Sequence, residues 1–445
     1  MKMSIISFQS RKTLCFKLLT MVMLSCGLLI AAQCFASSFE ESPINYHKAP
    51  VSNPISKLQK KIDSGEVKLE YDETHGYLKS VLKELNVPQS SQVLVFSKTS
   101  FQLPRIDPKH PRSVYFSDDM YVGWVQNGDV VEISTVDPQL GAIFYSLEQK
   151  ETAKPKFTRH GDRCLICHAS SKTEGVPGHI VRSVFSDKRG MPVFRAGTFR
   201  IDHTSPMKNR WGGWYVSGTH GKQRHMGNVL VEDKNRPEDL DIEAGANVTD
   251  LSTLKIFDPK KYLVPHSDIV ALMVMEHQSR MHNLITRTNF ETRIALRDSR
   301  VVNKMLKRNI NFRSPSIKNR FDSSANRLVK YMLFTDEAKL TDPIKGTSGY
   351  EADFEKLAIK DRQGRSLRDF DLQTRMFKYP CSYLIYSEAF NVLPSEVKTV
   401  IYQKLWDILN SKTTDDDYKH LSKADRIAIK EILLATKKGL PSYWK

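Results

Sequence analysis

The residues with the most definite chemistry in this chain are Cys164, Cys167 and His168, within Arg163-Cys164-Leu165-Ile166-Cys167-His168. Two thiols three residues apart, followed at once by an imidazole, are what covalent haem attachment requires. Each sulfur adds to one vinyl group on the same side of a porphyrin, and the adjacent histidine reaches the iron as an axial ligand. With 6 Cys and 13 His in 445 residues, about 0.002 such strings are expected by chance. Two other chemistries use a close cysteine pair. A zinc site needs further ligands, and the sequence has no second C-x-x-C. A thioredoxin-like pair opens a helix in a β-α-β unit, and no such pattern surrounds residues 164–167. One haem c, covalently held, is the expectation.

The N-terminus supports that reading by setting the compartment. Lys2, Arg11, Lys12 and Lys17 precede any acidic residue, and an uncharged run follows from Leu18 to Ala36, most apolar over Leu18–Ala32. Small side chains at Cys34 and Ala36 suit a signal peptidase, so residues 1–36 are expected to be a signal peptide. The expected location is periplasmic or secreted in a bacterium; an uncleaved N-terminal membrane anchor is the alternative. Cleavage removes Cys15, Cys26 and Cys34 and leaves Cys164, Cys167 and Cys381, an odd set for a disulfide framework. Cys381, in the apolar stretch Tyr379–Ala389, reads as a buried, inert thiol. Cleavage also takes the formal charge from +17 to +13. That charge favours a redox partner with an acidic face, or association with an anionic membrane surface. Export and the lack of a readout motif disfavour nucleic acid.

The remaining sequence must position the motif. At 40% hydrophobic and 26% charged residues, the chain is neither disordered nor a polytopic membrane protein. Residues 37–56 read as a linker, 57–235 as a strand-rich haem-binding region, 236–264 as a connection and 265–445 as helical. Within these, residues 57–86 carry helical spacing. Strands at 121–125 and 130–134 flank Asn127-Gly128, a hairpin signal. A second hairpin is expected from 179–185 and 191–199, and a strand from Trp211 to Gly218. Ser267 or Asp268 caps a helix to about Arg287, Pro394 opens another, and Ser422-x-x-Asp425 opens the last. Strands first and helices after predict an α+β fold.

The sixth iron position decides between electron transfer and ligand chemistry. His277 is the leading candidate, because it shares a helical stripe with Val270, Met273, Val274, Met281 and Leu284. Glu276, Arg280, Asn283 and Arg287 form a polar row beside it, spaced to pair at i,i+4. His220, His225 and Met226 are weaker candidates in the glycine-flanked stretch 219–227, which otherwise reads as a solvated turn. Arginines of Arg159-His160-Gly161-Asp162-Arg163 stand near enough in sequence to meet a haem propionate.

The motif resembles that of c-type cytochromes. The strings Arg210-Trp211-Gly212-Gly213-Trp214-Tyr215-Val216 and Met376–Leu384 resemble those of uncharacterised secreted bacterial proteins with a cytochrome c domain. The resemblance implies a haem protein and no narrower activity. Two readings follow: a monohaem electron-transfer protein, or a haem enzyme of peroxidase or oxidase type with an open iron site. A chain this long for one haem weighs towards an enzyme, but no acid–base pair can be placed by sequence, and electron transfer is the leading expectation. The missing second C-x-x-C-H argues against a two-haem peroxidase.

Overall fold

Side chains alternate between two faces through residues 112–160, and that segment folds into an antiparallel meander. The structure, a computed structural model, describes residues 39–100, 102–412 and 415–444. The expected signal peptide therefore lies outside the described residues. Residues 39–49 belong to one unit, in which Phe39 and Tyr46 meet edge to face at 5.7 Å; the described residues from Pro50 onward form the other.

In the larger unit the strands are β1 Val93–Val95, β2 Arg112–Phe116, β3 Met120–Trp124, β4 Val130–Asp137, β5 Gly141–Glu148 and β6 Phe157–His160. They are followed by β7 Arg182–Val184, β8 Thr198–Arg200 and β9 Trp214–Tyr215. Seven form one antiparallel sheet in the order β6-β5-β4-β3-β2-β1-β9, while β7 and β8 form a separate ribbon. The Asn127-Gly128 hairpin forms as expected, with Asn127 in the left-handed region at φ 55°. Register lines up His160, Phe144, Ser134, Tyr121 and Phe116 across one face. The next row is Thr158, Ser146, Glu132, Gly123 and Val114. The opposite face carries Tyr145, Ile133, Val122 and Tyr115, all buried.

The helices are α1 Pro54–Ser64, α2 Leu78–Glu84, α3 Asp162–His168, α4 Ile269–Met305, α5 Pro315–Met332, α6 Tyr350–Lys356, α7 Glu388–Asn391, α8 Ser395–Leu409 and α9 Lys423–Thr436. The architecture is α+β, a strand-rich N-terminal half followed by a helical C-terminal half. The helical spacing over 57–86 resolves into two helices, because Gly65 takes φ 80° and caps α1. α1 also opens at Pro54, inside the stretch read as linker. The second hairpin is shorter than expected: Asp187 Oδ1 caps a turn through Arg189 N and Met191 N, and Pro192 has no N–H to extend the ladder. The strand expected over 211–218 shrinks to two residues, because Trp211, Gly213 and Gly218 all have positive φ.

α4 is the organising element. Asp268 caps it by accepting from Val270 N and Ala271 N, and its second oxygen takes Thr347 N and Ser348 N. It runs 37 residues, well past Arg287, because no Gly or Pro interrupts it and Ala295 and Leu296 pack on Ile317 and Phe321 of α5. The polar row does not pair with itself as the spacing suggested. Glu276 takes Arg210, Arg280 takes Asp202 and Glu174, Asn283 takes His179, and Arg287 takes both Glu174 and its i+4 neighbour Glu291. Burial outranks helical spacing here.

Several histidines are buried in this region as neutral rings. Burial holds His277 and His203 well below the ordinary range, His282 at about 4 and His225 at about 3. An unfolded chain regains a pKa near 6.5, so it binds more protons than the folded one between about pH 4 and 6.5. Stability is then present above pH 6.5 and lost as pH falls. For His282 alone the loss between pH 7 and pH 5 is about 2 kcal/mol. Urea unfolding midpoints should fall over that interval; midpoints that stay level would contradict the neutral buried rings.

Candidate functional site

β6 ends at the sheet edge, Gly161 turns the chain, and α3 begins one residue later. Cys164 N and Leu165 N both donate to Gly161 O, at 3.0 and 3.2 Å, and Ala169 N closes the helix on Leu165 O at 2.9 Å. The three motif residues thus sit on a helix of two turns, Cys164 and Cys167 at i,i+3 on one side of it. No residue of α3 is buried, and Ile166 is 77% exposed. Both thiols are free, Cys164 half-buried and Cys167 exposed. Burial, with Glu132 and Cys167 nearby, pushes the Cys164 thiol up to about 11.

The imidazole is fixed more firmly than the thiols. His168 Nδ1 lies 2.9 Å from Gly178 O, and Gly178 N donates back to His168 O at 2.8 Å. A carbonyl only accepts, so Nδ1 carries the proton and Nε2 keeps its lone pair. Loss of solvent around this half-buried ring also lowers its pKa, so it stays neutral. A neutral ring whose far nitrogen is held by a carbonyl is the usual state of a metal-ligating histidine. The ring packs on Phe144 of β5 at 4.7 Å. These residues fit a covalently held haem: two free thiols on one helix, an exposed apolar flank, and a lone pair of fixed tautomer.

Gly178 is held from behind by α4. Asn283 Oδ1 accepts from His179 N at 2.8 Å and Asn283 Nδ2 donates to His179 O at 2.7 Å. A Cβ at position 178 would stand 2.2 Å from Asn283 Oδ1, so only glycine fits. Glu174, on the same loop, accepts from Arg200, Arg280 and Arg287 and ties the loop to β8 and α4. Beneath Cys164 and His168, Arg112 pairs with Glu132 at 2.7 Å across Gly123, whose missing side chain leaves room for the guanidinium.

The sixth-ligand candidates make other contacts. His277 is fully buried, sharing a hydrogen bond with His203 Nδ1 at 2.7 Å and another with Ser382 Oγ at 2.9 Å, so both ring nitrogens are engaged. Met273, Met281 and Leu284 pack into the main core rather than against an open face. His220 donates from Nδ1 to Gln223 O and accepts Asn247 N at Nε2. His225 accepts Gly227 N and meets Trp211 at 5.1 Å. Met226 Sδ faces Ser183 Oγ at 3.7 Å. The stretch 219–227, read as a solvated turn, buries both histidines and the methionine. Among the described residues, no hydrogen bond or ring contact of these four reaches Cys164, Cys167 or His168.

Two other histidines do stand beside the motif. His160 lies opposite Phe144 in the sheet and hydrogen-bonds Ser146 Oγ at 2.7 Å. His179 is 6.2 Å from Phe144 and 4.2 Å from Tyr121, bonds Ser134 Oγ at 2.6 Å, and leaves Nδ1 without a partner. Sequence spacing singles out neither as a ligand. Cys381 is fully buried, and burial pushes its thiol to about 12. Among the described residues no group of three or more His, Cys, Asp or Glu is arranged to hold a metal ion.

Comparison with family models, curated proteins and solved structures finds no match to this chain. The functional reading rests on the site itself.

The two thiols differ in a way that chemistry can read. In protein purified without haem, iodoacetamide at pH 8 should label exposed Cys167 at least about tenfold faster than Cys164, since the thiolate is the reactive form. Peptide mass spectrometry gives both rates. Equal rates would contradict the burial of Cys164 against Glu132.

Proposed function

We propose that this is an exported monohaem c-type protein that transfers electrons, with haem c bound through Cys164 and Cys167 and His168 as axial ligand. The observation that carries the reading is the C-x-x-C-H string on one short helix, with His168 Nδ1 committed to Gly178 O. In attachment, each cysteine sulfur forms a bond to the α-carbon of one vinyl group, and the thiol proton ends on the neighbouring vinyl carbon. No electrons are gained or lost. Once bound, haem supplies a one-electron iron couple. The chain's part would be to hold the group beside α3, where Phe144 backs the His168 imidazole and Ile166 and Cys167 are exposed.

A formal charge of +13 after cleavage of residues 1–36, with exposed Arg163 and Lys172 beside the motif, supports a redox partner with an acidic face. An anionic membrane surface would meet the same charge. No helix among the described residues is long and apolar enough to cross a membrane.

A second reading, a haem enzyme with an open sixth position, draws support from His277 and His220, whose two ring nitrogens are each engaged by other partners. The ferrous protein separates the two. Rapid carbon monoxide binding goes with the enzyme, and a six-coordinate spectrum unchanged by carbon monoxide goes with the carrier.

Attachment is tested by expression with a haem c maturation system. Acid–acetone should leave the haem on the protein, and the mass of one haem should map to the peptide containing residues 164–168. Fully extractable haem would overturn the reading, as would a peptide of unmodified mass.

A further inference from the structure

The hairpin that joins α4 to α5 carries a surface the core does not use. Ala295 and Leu296 of α4 pack on Ile317 and Phe321 of α5, and between Leu296 and Ile317 no apolar side chain is buried. α4 nonetheless runs on to Met305, a further 13 Å or so of helix, roughly 1.5 Å per residue. Val301, Val302, Met305, Leu306, Ile310 and Phe312 all stand exposed there, Met305 by 77%. Single exposed apolar side chains are ordinary, but a run this dense is a patch. Val301 with Met305, and Val302 with Leu306, line one exposed flank at i,i+4 spacing, while Arg300 and Lys304 line another.

The turn is held from inside. Asn303 is buried, and its Nδ2 donates to Phe312 O at 2.8 Å and to Ile310 O at 3.2 Å. Ser299 Oγ donates to Phe312 O at 3.0 Å, and Arg308 N donates to Asn303 O at 2.8 Å. Two buried polar side chains therefore fix the backbone of a segment whose apolar side chains stay in solvent.

Charge indicates what covers the patch. The stretch from Ser299 to Phe321 holds seven Lys and Arg and no acid. Arg313 pairs with Glu396 and Arg320 with Asp298, whereas Arg300, Lys304, Lys307 and Arg308 have no ion-pair partner among the described residues. An acidic protein face would match these cations but set the apolar side chains against polar groups. An anionic bilayer answers both, with phosphates at its surface and acyl chains just beneath. Lys and Arg stems lie along such a boundary with their charged ends at the phosphates.

We propose that the tip of the α4–α5 hairpin, residues 300–312, docks the protein on an anionic phospholipid surface. Its apolar side chains enter the acyl boundary, and Arg300, Lys304, Lys307 and Arg308 meet headgroup phosphates. The assignment is independent of the haem reading, since it uses none of the motif residues.

Cosedimentation of the purified protein with vesicles tests it. Vesicles of equal parts phosphatidylglycerol and phosphatidylcholine should bind the protein about tenfold or more tightly than phosphatidylcholine alone, and about 0.5 M salt should weaken that binding about tenfold. Arg300→Gln, Lys304→Gln, Lys307→Gln and Arg308→Gln together should weaken it by about tenfold or more. Met305→Gln with Leu306→Gln should weaken it by about fivefold or more. These six side chains make no hydrogen bond or ion pair among the described residues, so the fold should survive, and an unaltered far-ultraviolet dichroism spectrum checks that it has. Lys154→Gln, Lys208→Gln, Lys260→Gln and Lys438→Gln remove the same charge from exposed positions elsewhere, and that variant should stay within about twofold of the parent. All variants keep one N-terminus, so a difference between them belongs to the tip. Failure to sediment with either vesicle, as an acidic protein partner for the tip would give, would overturn the proposal. So would equal binding to both vesicles, indifference to either set of tip substitutions, or an equal loss from the four control substitutions.

Discussion

Burying the middle of α4 is possible only if each of its polar side chains finds a partner inside the protein, and that requirement shapes the rest of the molecule. Glu276 is fully buried and takes its counter-charge from Arg210, which is equally buried. An unpaired carboxylate there would cost several kcal/mol, roughly what removal of one partner from a buried pair costs. Gln278 reaches Ser117 O, Tyr121 and Tyr383; His282 reaches Asp118 O; Asn283 reaches His179; His277 reaches His203 and Ser382. Those partners come from four separate stretches of chain. The helix therefore fixes the sheet turn, the loop after the motif, the 203–210 segment and the 382–383 segment in one frame. Apolar packing alone would tolerate sliding, whereas these hydrogen bonds set one register.

The candidate haem site hangs from this frame at one point. α3 buries no residue and contributes little packing of its own. What orients it is Gly178, whose backbone is bonded twice to His168 while Asn283 clamps the next residue. A histidine held this way presents Nε2 with little freedom to turn, which suits a fixed axial ligand. The exposed face of α3 leaves space outside the core for a prosthetic group. The buried polar cluster about Glu276 and His277 is then structural: it holds the helix that holds the loop that holds His168.

How much of this was legible in the sequence differs from element to element. The motif, the hairpin at Asn127-Gly128, the Asp268 cap and the Ser422–Asp425 capping box all rest on local spacing, and the fold contains each where spacing put it. The α+β segregation was legible for the same reason. The far end of α4 was not, because its second half carries few apolar stripe residues and is held by ion pairs to α5. His277 shows what spacing alone leaves open. An imidazole on an apolar stripe looks the same in sequence whether it faces a prosthetic group or a second buried histidine, and His203 lies 74 residues away. Asn283 and Gly178 could not be singled out either. Their role depends on a close approach between a loop and a helix that no periodicity encodes.

The central claim is that Nε2 of His168 is the iron's axial ligand, its tautomer set by Gly178 O. Resonance Raman spectroscopy of the ferrous protein measures this most directly. The haem-loaded protein should show an iron–histidine stretching band that shifts when histidine is labelled with nitrogen-15. The band should vanish in His168→Gly and return, at altered frequency, when imidazole is added to that variant. A band that persists unchanged in His168→Gly would contradict the account, because another residue would then be holding the iron.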